Sequence, residues 1–229
     1  MSRYRHEYKY IINEQQKNIL MIKASGLMQK DPYANEWGSY LIRSLYFDDW
    51  NNSCYYENED GTDPRSKFRI RYYNCDTSKI KLEKKIKNHG MTLKVSCTIS
   101  KEQCETFMNG SIPEAENEMQ KTLFEEMKER KMQPKVIVSY ERIPYIYGIG
   151  NVRITFDTNI TASNEVTRFL QHDFLQRPIL SLGKSVLEVK WDEVFPAHVK
   201  EYMSLDNLQW STFSKYYLCR KYNINGGIR

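Results

Sequence analysis

The feature that most constrains this chain is a period-two alternation of cationic and apolar side chains. In the segment Lys67–Tyr72, lysine or arginine occupies every second position, and phenylalanine, isoleucine and tyrosine lie between them. Because successive side chains of a β-strand point to opposite faces, this spacing predicts a strand with one charged and one apolar face. Related alternation occurs in Arg5–Lys9, Lys81–Lys85, Arg153–Asp157 and Leu187–Lys190.

Two interpretations are open for such charged strand faces. The ordinary one is a half-buried strand of an antiparallel sheet whose charged side lies in water. The other is that the faces line one enclosed surface, where cations about 6 Å apart would repel by roughly 3 kcal/mol per pair at an effective dielectric near 20. Because a whole domain is stable by only about 5–15 kcal/mol, carboxylates such as Glu7, Glu83, Asp157 and Glu188 would have to offset part of this repulsion. The repulsion that these carboxylates do not offset predicts a strongly anionic ligand.

Composition narrows the class of protein. The 229 residues, 40% of them hydrophobic, suit a single domain spanning residues 1–229 with a sizeable core. The formal charge of +5 is too modest to demand nucleic acid as a partner. Five cysteines without a CxxC pair indicate reduced thiols and a cytoplasmic protein. No apolar run approaches the roughly 20 residues of a membrane-spanning helix, so we expect no membrane insertion by this chain.

The order of elements indicates an α+β protein. Strand signals occur at residues 4–12, 40–48, 66–74, 78–87, 90–98, 135–145, 151–158 and 185–192. Helical patterns occur at 14–29, from Ser100 to Gly110, at 114–131, from Pro196, and from Ser211 to Tyr222. Hairpin turns between strands favour an eight-stranded antiparallel β-barrel with helices packed outside. If the apolar faces pack against those helices, the charged faces must point inward and line a tunnel.

Short segments along the whole chain resemble, in the same order, those of the VTC domain. This is the polyphosphate polymerase domain of the vacuolar transporter chaperone family, within the triphosphate tunnel metalloenzyme, or CYTH-like, superfamily. The segments are Arg5–Tyr10, Ser44–Asp48, Phe68–Tyr72, Leu82–Lys85, Ser139–Arg142, Arg153–Asp157, Leu187–Lys190 and Phe213–Tyr216. The resemblance implies the same eight-stranded tunnel.

The resemblance also implies an enzyme, an ATP–polyphosphate phosphotransferase. Its substrates would be ATP and inorganic polyphosphate, and its cofactor a divalent metal ion, Mn²⁺ first and Mg²⁺ as the other candidate. Carried over by motif, the phosphate-binding cations in catalysis are Lys9, Arg69, Arg71, Lys85, Lys94, Arg142, Arg153 and Lys215. The four arginines are expected to grip substrate phosphates, because a planar guanidinium can donate two parallel hydrogen bonds. Glu188 is the expected metal ligand and Glu7 a second candidate, since an ion that shares phosphate oxygens needs only one or two carboxylates.

Two departures from the family pattern bear on function. The superfamily signature ExExK on the first strand is here Arg5-x-Glu7-x-Lys9, so a cation replaces one potential metal ligand. This replacement favours a long polyanion as the substrate and argues against a two-metal mechanism. The sensing module and membrane helices that eukaryotic members join to this domain are not found in the sequence, so export of the product would need a separate membrane protein.

Two other functions stay open from the sequence. The same cations with water as the acceptor would make a tripolyphosphatase or nucleoside triphosphatase, whereas exclusion of water would favour transfer to phosphate. A non-catalytic module would bind polyphosphate or nucleic acid without turnover. Single-stranded nucleic acid calls for aromatic rings on the same face as the cations. Because Phe68 and Tyr72 point away from Arg69 and Arg71, we expect no nucleic acid partner.

Overall fold

The structure is a computed structural model that describes residues 4–224. Within this range the strands are β1 (His6–Asn13), β2 (Gln29–Lys30), β3 (Tyr40–Asp48), β4 (Arg65–Tyr73), β5 (Asp76–Asn88), β6 (Met91–Ile99), β7 (Gln133–Tyr147), β8 (Val152–Ser163), β9 (Arg177–Pro178) and β10 (Lys184–Trp191). The helices are α1 (Glu14–Leu27), α2 (Ser53–Glu59), α3 (Lys101–Met108), α4 (Glu118–Glu129), α5 (Ala197–Tyr202) and α6 (Lys215–Ile224).

The eight long strands form one antiparallel sheet in the order β1-β10-β8-β7-β3-β4-β5-β6, and the two-residue strands β2 and β9 pair with β7 and β8. The sheet curls so that its edges meet at a bridge between Arg5 and Thr92, with both N···O distances 2.9 Å. Farther along, the free edge of β1 pairs with the segment before α6, through Tyr10 opposite Trp210 and the Ser211 amide 2.8 Å from the Lys9 carbonyl. The prediction of an eight-stranded antiparallel α+β fold is confirmed.

The helices pack against the outer face of the curled sheet because that face is apolar. On β4, Phe68 and Ile70 are fully buried, as is Leu82 on β5, and they join one core cluster with residues of α2, α3, α4 and α6. A second cluster packs α1 and α5 against β1, β8 and β10, with Ile12 and Leu187 fully buried. The predicted division of these strands into an apolar outer face and a charged inner face is therefore correct.

Capping residues fix where two of the helices begin. The Asn13 side chain accepts a hydrogen bond from the Gln16 amide at 2.8 Å, and the Gln16 side chain accepts one from the Asn13 amide at 2.9 Å. Ser100 and Gln103 form the same reciprocal pair at the start of α3. Both capping boxes satisfy backbone groups that would otherwise lack partners, and both agree with the helix starts predicted from the sequence at residue 14 and at Ser100.

Some predicted boundaries were wrong. The fourth helix begins at Glu118 rather than near residue 114, because Asn117 caps it by accepting a hydrogen bond from the Gln120 amide at 3.0 Å. The last helix begins at Lys215 rather than Ser211, because the preceding residues are extended along β1. Within the described range, no helix is both long enough and apolar enough to cross a membrane.

Candidate functional site

The charged faces of the strands enclose a cavity of about 420 Å³. Its wall includes every candidate residue from the sequence, namely Lys9, Arg69, Arg71, Lys85, Lys94, Arg142, Arg153, Lys215, Glu188 and Glu7. These side chains come from seven strands and from the start of α6. The curled sheet thus brings residues far apart in sequence onto one surface, while their roles in function stay predictions.

Glu83 on β5 anchors one group of cavity cations. Nε and Nη2 of Arg69 both lie 2.7 Å from Oε2 of Glu83, and Nζ of Lys94 lies 2.9 Å from Oε1. The pairing of β4 with β5 sets Arg69 directly opposite Glu83, so the contact follows from strand register. Burial would raise the pKa of Glu83, but the charges of Arg69, Arg71 and Lys94 hold it well below its usual value. Glu83 is therefore ionised at neutral pH and offsets the repulsion among these cations.

Neutral hydroxyl groups orient the two arginines of β4. Nη1 of Arg69 donates to the Tyr46 hydroxyl at 3.1 Å, and Nη2 of Arg71 donates to the Tyr140 hydroxyl at 3.1 Å. Nε of Arg71 also donates to Oγ of Ser44 at 2.9 Å. Burial alone would raise the pKa of Tyr46, but Arg69 and Arg71 lower it below its usual value. These contacts hold both guanidinium groups at the cavity wall.

Asp157 on β8 anchors a second group. Arg142 on β7 binds it through two hydrogen bonds of 2.6 and 2.8 Å, and Nζ of Lys215 lies 2.5 Å from the same carboxylate. Arg142 stands opposite Asp157 in the register of β7 with β8. Burial would raise the pKa of Asp157, but Arg142 and Lys215 lower it. Asp157 is fully buried, so it holds the start of α6 against the sheet from behind the cavity wall.

Glu7 and Glu188, on the paired strands β1 and β10, form a third group with three lysines. Nζ of Lys9 lies 3.0 Å from Glu7 and 3.8 Å from Glu188, and Nζ of Lys85 lies 2.8 Å from Glu7. Lys190 forms ion pairs with both carboxylates. Burial would raise the pKa of Glu188, but Lys190, Arg142 and Lys9 hold it well below its usual value. Both glutamates are therefore carboxylates able to bind a cation.

The residues present fit a divalent ion that is shared with substrate, and they do not fit an all-protein metal cage. Among residues 4–224 there is no cluster of three or more His, Cys, Asp or Glu side chains that could hold a metal ion. Glu7 and Glu188 are two hard oxygen donors in the cavity wall. Mg²⁺ or Mn²⁺ typically uses one or two carboxylates together with phosphate oxygens, and this pair can supply that number.

The cavity wall also contains residues that the sequence reasoning did not select. Tyr46 and Tyr140 lie within the quoted family segments, so their position in the alternation was available as a signal. Lys67 shares the strand face of Arg69, and the alternation in Lys67–Tyr72 is the sequence signal for it. Asp31, which is 4% exposed and is not one of the residues that line the cavity, forms an ion pair with the lining residue Arg153. It lies outside any strand pattern, and no signal in the sequence pointed to it.

Comparison with known proteins identifies the family of this chain. The sequence profile of the VTC domain matches residues 4–223. This chain belongs to the VTC domain family. No curated protein matches the sequence.

Several solved structures share the fold of this VTC domain. A proposed adenylyl cyclase from Hippeastrum, with a dominant triphosphatase activity, has a TM-score of 0.56 at 15% identity, covering 100% of this chain and 98% of its own. A proposed adenylate cyclase from Bacillus halodurans has a TM-score of 0.54 at 14% identity, covering 90% and 89%. A protein from Pyrococcus horikoshii has a TM-score of 0.50 at 15% identity, covering 95% and 99%. At these identities the likeness shows the fold alone, which is that of the triphosphate tunnel proteins.

Arg5 of this VTC domain, which stands at the first position of the ExExK signature, lies where the two sheet edges meet. Its Nε lies 2.7 Å from Oδ1 of Asp192, and its Nη2 donates to the Asn151 carbonyl at 2.6 Å. Its side chain is therefore held by the β8 and β10 ends of the barrel. Glu7 and Lys9, the other two signature positions, lie in the third ion group.

Proposed function

We propose that this VTC domain, acting as a single unit over residues 1–229, is a polyphosphate polymerase. The observation that carries the proposal is the charge of the cavity wall. Within residues 4–224, thirteen lysine and arginine side chains line it, and the lining carboxylates are Glu7 and Glu188. Such an excess of cations around one cavity is costly unless an anion of several charges is bound. A linear polyphosphate chain has one negative charge or more per phosphate and suits a cavity lined along its length.

In this proposal the reaction is an in-line phosphoryl transfer that needs no protein nucleophile. A terminal oxygen of the polyphosphate chain forms a bond to the γ-phosphorus of ATP, the bond from that phosphorus to the bridging oxygen breaks, and ADP leaves with the electron pair. Arg69 and Arg71 bind and orient equatorial phosphate oxygens. Arg142 and Lys215, fixed by Asp157, stabilise charge on the transferred group because they are already in position before reaction.

Glu188, with Glu7 as the second ligand, would hold the divalent ion that the family uses. When bound, the ion supplies neutralisation of charge on the phosphate oxygens. Lys9, Lys85 and Lys190 now occupy the oxygens of these two carboxylates. Substrate phosphates entering the cavity give the lysines new anionic partners, which frees carboxylate oxygens for the ion.

A second candidate function is hydrolysis of triphosphates, with water as the acceptor. The exposure of Lys94 favours hydrolysis. Its side chain is 50% exposed, so water reaches the cavity wall. The Hippeastrum protein with the same fold has a dominant triphosphatase activity. We favour the polymerase because Arg5 replaces a carboxylate of the superfamily signature, which leaves fewer metal ligands than the hydrolytic signature offers.

One experiment separates these functions. The protein is incubated with ATP and Mn²⁺, and the products are resolved on urea gels alongside an assay of released orthophosphate. Long phosphate chains support the proposal, and orthophosphate alone supports the hydrolase. Tripolyphosphate binding without any turnover would instead make the chain a non-catalytic binding module. R69A should lower synthesis by about 100-fold or more, whereas R168A, which removes an arginine that is 44% exposed and paired with Glu165, should leave synthesis unchanged.

We also propose that the reaction takes place in the cytoplasm, where ATP is available and the five free thiols would stay reduced. Export of the product would then depend on a separate membrane protein.

A further inference from the structure

Among residues 4–224, Lys67 differs from most of the lysines that line the cavity in lacking an acidic partner within 4.0 Å. Its Nζ donates to Oδ1 of Asn58 at 2.6 Å and to Oγ of Ser214 at 3.2 Å. Among residues 4–224, no carboxylate oxygen lies within 4.0 Å of this nitrogen, whereas ion pairs hold Lys9, Lys85, Lys94, Lys190 and Lys215. Lys67 is therefore a cavity cation whose charge the protein leaves unbalanced.

The groups that face Lys67 make this imbalance larger. The pairing of β4 with β5 sets Lys85 directly opposite Lys67, and the next inward-facing pair along the two strands is Arg65 with Lys87. Like charges directly opposite each other on neighbouring strands are destabilising. The groups around it are Arg65 on its own strand, Lys85 on β5, Lys9 on β1, Cys54, Glu57 and Asn58 on α2, and Ser214 and Tyr216 at the start of α6. The Tyr216 ring centroid is 5.1 Å from Nζ.

The surroundings of Lys67 also change how it titrates. Burial, together with the positive charges of Arg65, Lys9 and Lys85, lowers its pKa to about 7. Near neutral pH, the empty cavity thus holds this amine partly in its neutral form. An anion placed against the amine would favour the charged form again, so binding of the anion would be accompanied by uptake of a proton.

We propose that Lys67, positioned by Asn58 and Ser214, is a further phosphate-binding site of the cavity that takes up a proton when a phosphate group of a linear polyphosphate binds. This inference rests on the proposed function, because linear polyphosphate is the class of ligand that the proposed function implies. Two neutral partners, Asn58 and Ser214, distinguish Lys67 from Lys87. They hold Nζ at the cavity wall without competing for its charge, whereas a carboxylate would have to be displaced.

The test is calorimetric titration of the full chain with tripolyphosphate, without metal, at pH 6.0 and pH 8.5. A charge-assisted hydrogen bond of about 1.5–3 kcal/mol corresponds to roughly tenfold or more in affinity. We expect wild type to bind about tenfold more tightly than K67M at pH 6.0, with the ratio falling towards one at pH 8.5. In K67R, whose guanidinium stays charged, the affinity relative to K67M should be the same at both pH values.

Proton uptake gives a second readout. Titrations in two buffers of different ionisation enthalpy measure the protons bound per ligand at pH 7, and wild type should take up more than K67M. Comparing the two proteins removes the protonation of tripolyphosphate itself. K67Q retains a hydrogen-bonding group for Asn58 and serves if K67M does not fold. K121M, which removes an exposed lysine of α4, should match wild type in affinity and in proton uptake.

The outcomes separate this inference from the proposed function. If K67M and K67Q fold and bind tripolyphosphate as tightly as wild type at pH 6.0, the Lys67 site is wrong, even if polyphosphate synthesis is observed. Binding is not coupled to proton uptake by Lys67 if the affinity ratio of wild type to K67M is the same at both pH values. Equal proton uptake in wild type and K67M would lead to the same conclusion. If wild type does not bind tripolyphosphate at either pH, the proposed function itself is contradicted.

Discussion

The guanidinium of Arg69 contacts a single oxygen of the Glu83 carboxylate, with Nε and Nη2 of the arginine both 2.7 Å from Oε2. Glu83 is only 1% exposed, and it also binds Lys94. Under the proposed function this pair would couple stability to activity. Glu83 offsets the repulsion among the cavity cations, and a substrate phosphate would compete with it for Arg69.

Replacing Glu83 by glutamine should destabilise the empty protein and strengthen its dependence on anions. Removing one partner of a buried ion group costs about 3–5 kcal/mol, and we expect E83Q to lose about 3 kcal/mol in urea unfolding. Tripolyphosphate should restore part of this loss, because it supplies the missing negative charge. E126Q is the matched control. It removes the half-buried partner of Lys84, a carboxylate 29% exposed against 1% for Glu83, and should cost less, about 1 kcal/mol. Equal losses in E83Q and E126Q would contradict this account.

The ion pair between Arg153 and Asp31 predicts that Arg153 supports both stability and activity. In R153A the buried Asp31 carboxylate would keep, among residues 4–224, only the backbone amide of Tyr33, which lies 3.0 Å from Oδ1. R153A should therefore lose about 3 kcal/mol in urea unfolding.

The double variant D31N/R153A separates the two roles of Arg153. It no longer contains an unpaired buried charge, so it should regain most of the stability lost in R153A while synthesis stays lowered by about 100-fold. D31N alone keeps the arginine and should retain most of its synthesis. If the double variant recovered synthesis together with stability, Arg153 would be only structural.

The low pKa of Glu83 predicts acid sensitivity of the fold. Its folded-state pKa lies well below its usual value, so between that value and the unfolded pKa of about 4.3 the unfolded chain binds the extra proton. The stabilising contribution is thus complete at neutral pH and is lost as the pH falls below about 4. Urea midpoints measured from pH 7 to pH 3 should fall less steeply in E83Q than in wild type. E126Q should keep the wild-type slope, and an unchanged slope in E83Q would show that Glu83 does not carry this sensitivity.

Replacing Glu188 by glutamine should separate metal binding from phosphate binding. Synthesis with Mn²⁺ should fall by about 100-fold or more in E188Q, because one of two carboxylate ligands is lost. Tripolyphosphate binding measured in EDTA should be unchanged or tighter, since the change removes a negative charge from the cavity wall. E14Q, which alters an exposed carboxylate paired with Lys17, should leave synthesis and binding unchanged. Weaker binding of E188Q in EDTA would mean that Glu188 serves to position Arg142 and Lys9.

Much of the site was accessible from the sequence because strand geometry is simple. The period of two in Lys67–Tyr72 fixed which side chains share a face, whatever the partners of the strand. The need to offset repulsion pointed to Glu83 and Asp157, and both bind cavity cations. The family resemblance supplied the remaining candidates, among them Lys94 and Lys215, whose local patterns are ordinary.

Other features depended on contacts between distant segments. Asp31 reaches Arg153 because the short strand β2 pairs with the end of β7, and the same residues of β7 pair with the start of β8 on their other edge. The segment before α6 is extended because it finds the free edge of β1, a partner that exists only after the sheet has curled. Neither contact follows from a periodic pattern of side chains in the sequence.

By itself, then, the sequence determined the strands, the capped helix starts and the separation of charged from apolar faces, because each of these follows from side-chain spacing within one segment. The tertiary structure alone decided which carboxylate binds which cation, and that no carboxylate of the described residues 4–224 pairs with Lys67. Those outcomes depend on strand register and on the closure of the sheet, and electrostatic energy falls off with distances that only the folded chain defines.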